Sequence, residues 1–515
     1  MLREVEVKNG KLKGLIGKDP RIAVFRGVPY AQPPVGELRW KAPEPAKDWE
    51  GVRECYEYGD MAMMRVHPGI GDDFYTKELH PTAASYGMSE DCLYLNIFTP
   101  AETKEDNLPV FCYIHGGGYQ DGYNYEVEFD GERVARRGVV VVNIAYRLGL
   151  FGFLAHPEIT ARTGENEIIS NFGMQDQSLA LHWVKENIRA FGGNPDQIVI
   201  CGQSAGAGSV QSQLCSPYNE GIIKGAIIQS GVSMAFFDEK EPFGKSIDLD
   251  VAEQRGVTFF KDAGIKDLEE AMSMSAEDLM EKVRNFKPSW AFGFSTIIDG
   301  KFVKESVWDS YYNGRVPNVP LIVGCCFGET QGGLFVNKKM TYADFEKWAE
   351  NFGDKKDEVI RASGITNDEE AAKVTLTDSL NMLLSNSRAF CELRSAQGRE
   401  TYLYLFDHDI PGDDAGSFHG SDLWFMFDSL GNSWRPFEGK HYDLARQVTS
   451  YWTNFVKTGN PNGKDYNGNP LPQWKAYKSG ERDMMKFADT STPVKLEDNP
   501  VLDMRLEFSK KKFIK

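Results

Sequence analysis

A G-x-S-x-G pentapeptide, Gly202 to Gly206, places a serine between two glycines near the middle of the chain. It follows the apolar run Q-I-V-I-C and precedes a stretch of helical character. A strand, a tight turn and a helix in this order present a serine hydroxyl above a sheet, where it can attack a carbonyl carbon. A plain glycine turn is the alternative, because a chain with 50 glycines produces such pentapeptides by chance. The context favours Ser204 as a nucleophile.

A second glycine motif, His115-Gly116-Gly117-Gly118, directly follows the apolar run that ends at Ile114. Successive glycines let backbone N–H groups approach a substrate closely, as binding of an oxyanion requires. The alternatives are a flexible loop or a phosphate cradle, but the next residues, Y-Q-D, lack the Gly-Lys-Ser/Thr of a phosphate-binding loop. We therefore expect the N–H groups of Gly117, Gly118 and Ala205 to form an oxyanion hole.

A serine hydroxyl needs a base, and the base needs an acid that orients it. Where such a turn carries the nucleophile, the acid and then a histidine follow it along the chain. Glu329, after the run V-P-L-I-V-G, is the candidate acid, although a solvated loop carboxylate would have the same pattern. His441 precedes a predicted helix and is expected at the surface. His408 follows a predicted strand and His419 lies in a loop, so spacing alone leaves both open as the base.

Short β-branched runs, glycine turns and amphipathic segments alternate from about residue 108 onwards. Continuous apolar runs of this length are typical of strands buried on both faces, and strands that alternate with helices predict a mainly parallel sheet. We therefore predict an α/β fold with helices on both faces of the sheet and functional groups beyond the carboxyl ends of its strands. The predicted strands cover residues 108–114, 139–146, 197–202, 225–230, 319–324 and 401–406. The helical spacing between the second and third strands is set by Ala180, Trp183, Val184 and Ile188.

Composition excludes several classes of protein. The 515 residues are 41% hydrophobic and 26% charged, as in ordinary globular proteins, and the net charge of −17 disfavours nucleic acid and anionic lipid as partners. The opening residues carry four charges and no long apolar run, so we expect no export signal and no membrane span, although a mature chain whose signal had been removed would look alike. Eight scattered cysteines suggest buried, reduced thiols, and hence a cytoplasmic protein.

These motifs together resemble the type-B carboxylesterase family, which includes cholinesterases and bacterial para-nitrobenzyl esterases. The resemblance spans nearly the whole chain, and it also includes F-R-G-V-P-Y-A-Q-P-P-V-G-E-L-R-W (25–40), S-E-D-C-L-Y-L-N (89–96), N-I-A-Y-R-L-G-L-F-G-F-L (143–154), D-Q-S-L-A-L-H-W-V-K-E-N-I-R-A-F-G-G-N-P (176–195), F-H-G-S-D-L and Y-W-T-N-F-V-K-T-G-N-P-N.

The resemblance implies a single α/β-hydrolase domain over residues 1–515 that needs neither a metal nor an organic cofactor. Through the H-G-S-D-L match it implies His419 as the base, and it implies Glu329 as the acid because the family commonly uses glutamate there. It also implies two structural ion pairs, between Arg39 and Glu90 and between Arg147 and Asp176. The oligomeric state is not indicated.

Three departures from the family pattern bear on the substrate. Cys92 matches a family half-cystine, but the usual partner position near Met61 holds no cysteine and Cys55 comes several residues early. Gln203 precedes the serine where the family commonly has glutamate. No tryptophan lies between Cys55 and Cys92, although cholinesterases hold the choline headgroup with one there. The last two departures argue against choline esters.

The expected activity is hydrolysis of small neutral esters with aryl or short-to-medium acyl groups. A narrower feruloyl or aryl esterase acting on plant phenolic esters is an alternative, and a non-catalytic, neuroligin-like interaction module is another. The filled serine, acid and histidine positions disfavour the module. Core packing is the alternative role for the aromatic residues that we predict as pocket walls: Phe236, Phe237, Trp290, Phe292 and Phe294.

Overall fold

The structure is a computed structural model that describes residues 1–65, 73–164, 167–232, 246–288, 293–329, 340–377, 382–496 and 503–504. Its strands are β1 (Glu4–Val7), β2 (Gly10–Ile16), β3 (Ala23–Pro29), β4 (Val52–Cys55), β5 (Met61–Ala62), β6 (Met88–Ser89), β7 (Tyr94–Thr99), β8 (Leu108–Ile114), β9 (Val140–Ile144), β10 (Gly193–Gln203), β11 (Ile223–Gln229), β12 (Ile247–Asp248), β13 (Ile297–Ile298), β14 (Leu321–Cys326), β15 (Thr401–Phe406), β16 (Asp483–Phe487) and β17 (Ser491–Lys495).

Most of these strands form one large twisted sheet, in the order β1-β2-β3-β7-β9-β8-β10-β11-β14-β15-β16-β17, with β4 beside β2. The neighbours from β9 to β16 all pair in parallel. The strands β1, β2, β3 and β7 pair in antiparallel fashion at one side, and β17 does so at the other. The predicted α/β class with a largely parallel sheet is confirmed, and the antiparallel margins are additions to it.

Helices pack around the sheet, and the longer ones carry an apolar face. In the predicted helix, Ala180 and Val184 are fully buried against the sheet, and Ile188 follows in a short 3₁₀ turn. The helices are α1 (Phe74–Leu79), α2 (Glu132–Ala135), α3 (Gly149–Phe153), α4 (Pro157–Arg162), α5 (Phe172–Asn187), α6 (Ala205–Cys215), α7 (Leu249–Ala263), α8 (Leu268–Ser273), α9 (Ala276–Asn285), α10 (Val307–Tyr312), α11 (Tyr342–Ala349), α12 (Lys356–Ser363), α13 (Asp368–Thr377), α14 (Met382–Ala396), α15 (Asp422–Met426) and α16 (Gly439–Thr458).

The core lies on both faces of the sheet. Along β8, Val110, Cys112 and Ile114 belong to one hydrophobic cluster, whereas Phe111 and Tyr113 belong to the cluster on the opposite face. Alternate side chains of a strand point to opposite faces, so a strand between two helical layers is apolar at every position. This is why the apolar runs of the sequence located the central strands. No described helix is long and apolar enough to cross a bilayer.

The ion pairs implied by the family resemblance are confirmed. Arg39 Nη2 lies 2.6 Å from Glu90 Oε2, and Arg147 Nη2 lies 2.7 Å from Asp176 Oδ1. Each guanidinium also donates through Nε to the same carboxylate. Because all four side chains are at least nine-tenths buried, the bidentate geometry is what offsets their loss of hydration. Cys55 and Cys92 are buried thiols with no bridge between them.

A pair of buried carboxyl groups lies under the loop that follows β8. Glu126 and Glu128 are both buried and in direct contact, and Glu126 Oε1 accepts from the N–H of Tyr123 at 3.0 Å. Within the described part of the chain, no group other than Glu126 and the N–H of Glu128 itself makes a hydrogen bond to the Glu128 carboxyl. Burial raises the pKa of Glu126 to about 7, and burial together with the charge of Glu126 raises the pKa of Glu128 well above its usual range. A proton shared between the two carboxyls satisfies both.

The shared proton makes stability depend on pH. Unfolding returns both glutamates to an ordinary pKa near 4.5, so the folded protein holds more protons and becomes less stable as pH rises from about 5 to 8. Glu128→Gln supplies an amide that donates to Glu126 without a proton. We predict that its free energy of unfolding, relative to the parent, increases by about 1 to 3 kcal/mol across this range.

The measurement is urea denaturation at a series of pH values. Glu269→Gln, on the exposed face of α8, is the matched control and should differ from the parent by the same small amount at every pH. Parallel curves for Glu128→Gln and the parent would show that no proton is shared.

Candidate active site

The serine of the pentapeptide stands at the turn between β10 and α6. Ser204 has φ 57° and ψ −125°, a strained conformation for a residue with a side chain, and its N–H donates to Gln229 O at 2.9 Å. A Cβ on Gly206 would lie 2.2 Å from Ile114 O, so only glycine allows α6 to start this close to β8. The turn leaves Ser204 half-buried at the carboxyl end of the sheet. The strand, turn and helix predicted from the pentapeptide are all present.

The H-G-G-G loop lies directly against Ser204. A Cβ on Gly116 would be 3.1 Å from Ser204 Cβ. The loop is anchored by His115, whose ring stacks on Tyr146 with centroids 4.5 Å apart and whose carbonyl accepts from Tyr146 Oη at 3.0 Å. Burial lowers the pKa of His115 to about 4, so the ring is a neutral structural support.

The predicted oxyanion-hole residues lie in the glycine loop and at the first position of α6. Gly117 has φ 97°, and a Cβ there would lie 2.0 Å from Asp121 O, so the loop requires glycine at this position. Apart from its chain neighbours, no atom of the described residues lies within 4 Å of the position of a Cβ on Gly118. Ala205 is the first residue of α6, where a backbone N–H has no acceptor within the helix. An oxyanion hole formed by the N–H groups of these three residues stays a prediction.

Glu329 and His419 are in contact. Glu329 Oε2 accepts from His419 Nδ1, and Glu329 Oε1 accepts from Cys326 N at 2.7 Å. The acid side chain is 3% exposed and the histidine side chain 11%, so a substrate could reach the ring but not the carboxylate. The loops are joined next to this contact, because Gly328 and Phe418 form a parallel β-bridge. The carboxylate therefore fixes both the orientation and the tautomer of the ring.

The other ring nitrogen of His419, Nε2, faces Gln203, a contact that was not predicted from the sequence. His419 Nε2 lies 3.0 Å from Gln203 Nε2, and no hydrogen bond joins His419 to Ser204 Oγ among the described residues. The structure thus brings Glu329 and His419 together beside the residue that precedes the serine. In this arrangement, among the described residues, His419 Nε2 is hydrogen-bonded to Gln203 and not to Ser204.

The alternative histidines have other surroundings. His408 is buried against Phe425, and burial lowers its pKa. The prediction that His441 is a surface residue is wrong. It is buried in the first turn of α16, where its Nδ1 accepts from Glu438 N at 2.9 Å and so caps the helix. The helix starts earlier than expected, and the signal for this was the Glu438-x-x-His441 capping spacing.

The structure describes only one of the five aromatic residues predicted as pocket walls. Phe236, Phe237, Trp290 and Phe292 lie outside the described residues. Phe294 is buried in a hydrophobic cluster, where its ring packs edge-on against Phe259 with centroids 5.6 Å apart. The structure thus gives Phe294 the core-packing environment that was its alternative.

Two residues near the histidine were missed by the sequence analysis. Asp422, three residues after His419, is fully buried and accepts from Gln229 Nε2 at 2.9 Å and from Tyr404 Oη at 2.8 Å. Burial raises the pKa of Asp422. Tyr75 Oη lies 3.4 Å from the carbonyl of His419. Asp422 belongs to the H-G-S-D-L motif, but the motif does not show that this carboxylate is buried or which groups donate to it.

Comparisons with known proteins agree with this geometry. The family model described as "Carboxylesterase family" matches residues 2–505. The chain is 30% identical to para-nitrobenzyl esterase of Bacillus subtilis (strain 168), over 97% of this chain and 97% of that protein. It is also 30% identical to the human cocaine esterase, over 92% and 85% of the two chains.

A solved carboxylesterase of Geobacillus stearothermophilus superposes with a TM-score of 0.77 at 29% identity, over 98% of this chain and all of that one. A solved para-nitrobenzyl esterase superposes with a TM-score of 0.78 at 26% identity, over 99% and 100% of the two chains. The α/β-hydrolase fold and the hydrolysis of carboxylic esters follow from these matches. The chain belongs to the carboxylesterase family.

Proposed function

We propose that this chain hydrolyses small neutral esters with aryl or short-to-medium acyl groups, through an acyl-enzyme on Ser204. The observation that carries the proposal is the convergence at one sheet edge of a strained serine, a glycine loop and a contact between Glu329 and His419. Each group supplies one requirement of acyl transfer, namely a nucleophile, an oxyanion hole and an oriented base.

The reaction proceeds in two halves. His419 Nε2 takes the proton of Ser204 as its Oγ bonds to the ester carbonyl carbon, and the oxyanion accepts hydrogen bonds from Gly117, Gly118 and Ala205. Glu329 stabilises the imidazolium, which then protonates the leaving alcohol as the C–O bond breaks. Water repeats the sequence on the acyl-enzyme, and the acid product leaves.

The nucleophile is tested by Ser204→Ala. We expect kcat for p-nitrophenyl butyrate to fall by about 10⁴-fold or more, as removal of a serine nucleophile does in other hydrolases. A serine-directed fluorophosphonate should label the parent at Ser204 and leave the variant unlabelled, as read by mass spectrometry of peptides. Ser479→Ala, at an exposed site, is the control and should keep full activity. Near-normal turnover by Ser204→Ala would refute the assignment.

The base is tested by a matched pair of histidine variants. His419→Ala should lower kcat by about 10⁴-fold because no other base is held by Glu329. His408→Ala should keep kcat within a few-fold of the parent while lowering the melting temperature, since it leaves a gap against Phe425. Far-UV circular dichroism would confirm that both are folded. The opposite pattern, with His408 essential and His419 dispensable, would overturn the assignment.

Selectivity for neutral alcohols follows from the residues around the site. Gln203 presents a neutral amide where a carboxylate would attract a cation. Three described rings could replace the missing tryptophan, and each already packs on another ring: Tyr123 on Tyr125 at 4.6 Å, Tyr125 on Tyr58 at 4.3 Å, and Phe74 on Phe418 at 5.0 Å. A cation–π contact with a quaternary ammonium is worth about 0.5 to 2 kcal/mol, and these contacts leave less ring surface for one.

The test compares butyrylcholine with its uncharged isostere 3,3-dimethylbutyl butyrate at about 0.15 M salt, where long-range steering is screened. We expect kcat/KM for the two esters to agree within about threefold. A value at least tenfold higher for the choline ester would reveal a cation site and contradict the proposed selectivity.

A further inference from the structure

We propose that Gln203 is a positioning residue, which donates its amide N–H to His419 Nε2 in the resting enzyme and yields that position to Ser204 Oγ when an ester binds. The inference rests on the proposed function, because it concerns the same base. The juxtaposition that carries it is the 3.0 Å contact between Gln203 Nε2 and His419 Nε2.

The chemistry of the two groups fixes the direction of this hydrogen bond. Glu329 offers only acceptor atoms to Nδ1, so Nδ1 carries a hydrogen. In a neutral imidazole Nε2 is then a lone-pair acceptor, and the amide nitrogen of Gln203 is a donor. The contact is favourable only for the neutral ring. Once the ring is protonated at Nε2, two N–H groups face each other and the contact becomes repulsive.

This contact has two consequences for the reaction. It favours the tautomer with hydrogen on Nδ1, and it occupies the Nε2 lone pair that must accept the serine proton. Gln203 is directly bonded to Ser204 and is itself 5% exposed, so the amide has little room to move away on its own. A small rotation of the ring from Gln203 towards Ser204 exchanges one donor for another without changing the contact at Nδ1.

A glutamate at position 203 would act in the opposite way. Its carboxylate accepts from an Nε2–H and so favours the protonated ring, which cannot act as a base. Methionine at the same position has a similar volume but neither donates nor accepts strongly. At a given pH, the fraction of neutral imidazole should therefore be highest with glutamine at position 203, lower with methionine and lowest with glutamate.

The other charged and titratable groups around His419 stay the same in these variants. Among the described residues they are Glu329 at Nδ1, the buried carboxyl of Asp422 on α15, and Tyr75 on α1, whose hydroxyl donates to the carbonyl of His419. Burial raises the pKa of Tyr75 well above its ordinary value, so it stays neutral throughout the working range. A change in pH dependence is thus assignable to position 203.

The experiment measures kcat/KM for p-nitrophenyl butyrate and the rate of fluorophosphonate labelling from pH 5 to 10. We expect the midpoint of the acidic limb to rise in the order parent, Gln203→Met, Gln203→Glu, with the last at least about one unit above the parent. Gln203→Glu then loses about tenfold or more on the acidic limb and recovers to within a few-fold at pH 10. A merely structural role would lower the rate equally at every pH.

Two controls separate the possible failures. Gln254→Glu makes the same charge change on the exposed face of α7 and should leave the midpoint unchanged. Stoichiometric labelling at pH 10 shows that each variant is folded. If the parent is labelled at Ser204 but all midpoints coincide, the role of Gln203 is refuted and the proposed function stands. If the parent is not labelled and shows no turnover, the proposed function fails, and the role of Gln203 fails with it.

Discussion

The common direction of the strands from β9 to β16 is the constraint on which the site depends. Parallel neighbours end at the same edge, so the residues that follow β8, β10, β14 and β15 are brought together whatever their separation in sequence. Register makes this specific, because Ile114 pairs with Gly202 and Cys326 pairs with Phe406. The glycine loop, the serine, the acid and the loop of the histidine follow these four strand ends.

The sequence was most informative where burial is uniform. The apolar runs at residues 108–114 and 401–406 coincide with β8 and β15. A strand covered on both faces is apolar along its whole length, so the ends of the apolar run mark the ends of the strand. The antiparallel strands β1, β2 and β3 were not predicted. Two of them alternate exposed and buried residues, and such short alternations are hard to distinguish from loops. The cytoplasmic location remains a prediction.

Positions fixed by tertiary contacts could not be predicted from the residues alone. Spacing left His408 and His419 level as candidates, and only the resemblance and then the contact with Glu329 separate them. His441 is predicted at the surface because it precedes a predicted helix, yet it is buried as a cap within the first turn of that helix. The sequence shows only that Gln203 lacks the charge of the family's glutamate, whereas its contact with the histidine depends on how the chain turns between β10 and α6. Each case depends on which groups meet across the fold, and local patterns carry no such information.

Buried charge is handled in two ways in this molecule. Arg147 and Asp176 form a bidentate ion pair, whose two side-chain hydrogen bonds offset the desolvation of both groups. Glu126 and Glu128 form no ion pair with any described cation, and burial together with their mutual repulsion favours keeping a proton. Both solutions lie close to the functional edge, where Arg147 follows β9 and the glutamates lie under the glycine loop. The rigidity of that edge therefore depends on polar groups as well as on apolar packing.

The β-bridge between Gly328 and Phe418 has an evolutionary meaning. Glu329 and His419 are 90 positions apart, but the bridge joins the residues that directly precede them. The excursion of the chain between the two residues therefore starts and ends at one fixed point of the fold. Within the described part of that excursion, β15 is held between β14 and β16 and α14 packs against β14 and β15, so these elements must keep their places. The loops outside the sheet could lengthen, shorten or change composition without displacing the acid from the histidine. Lineages that share this arrangement could diversify the walls of the site while the acid–base geometry is inherited intact.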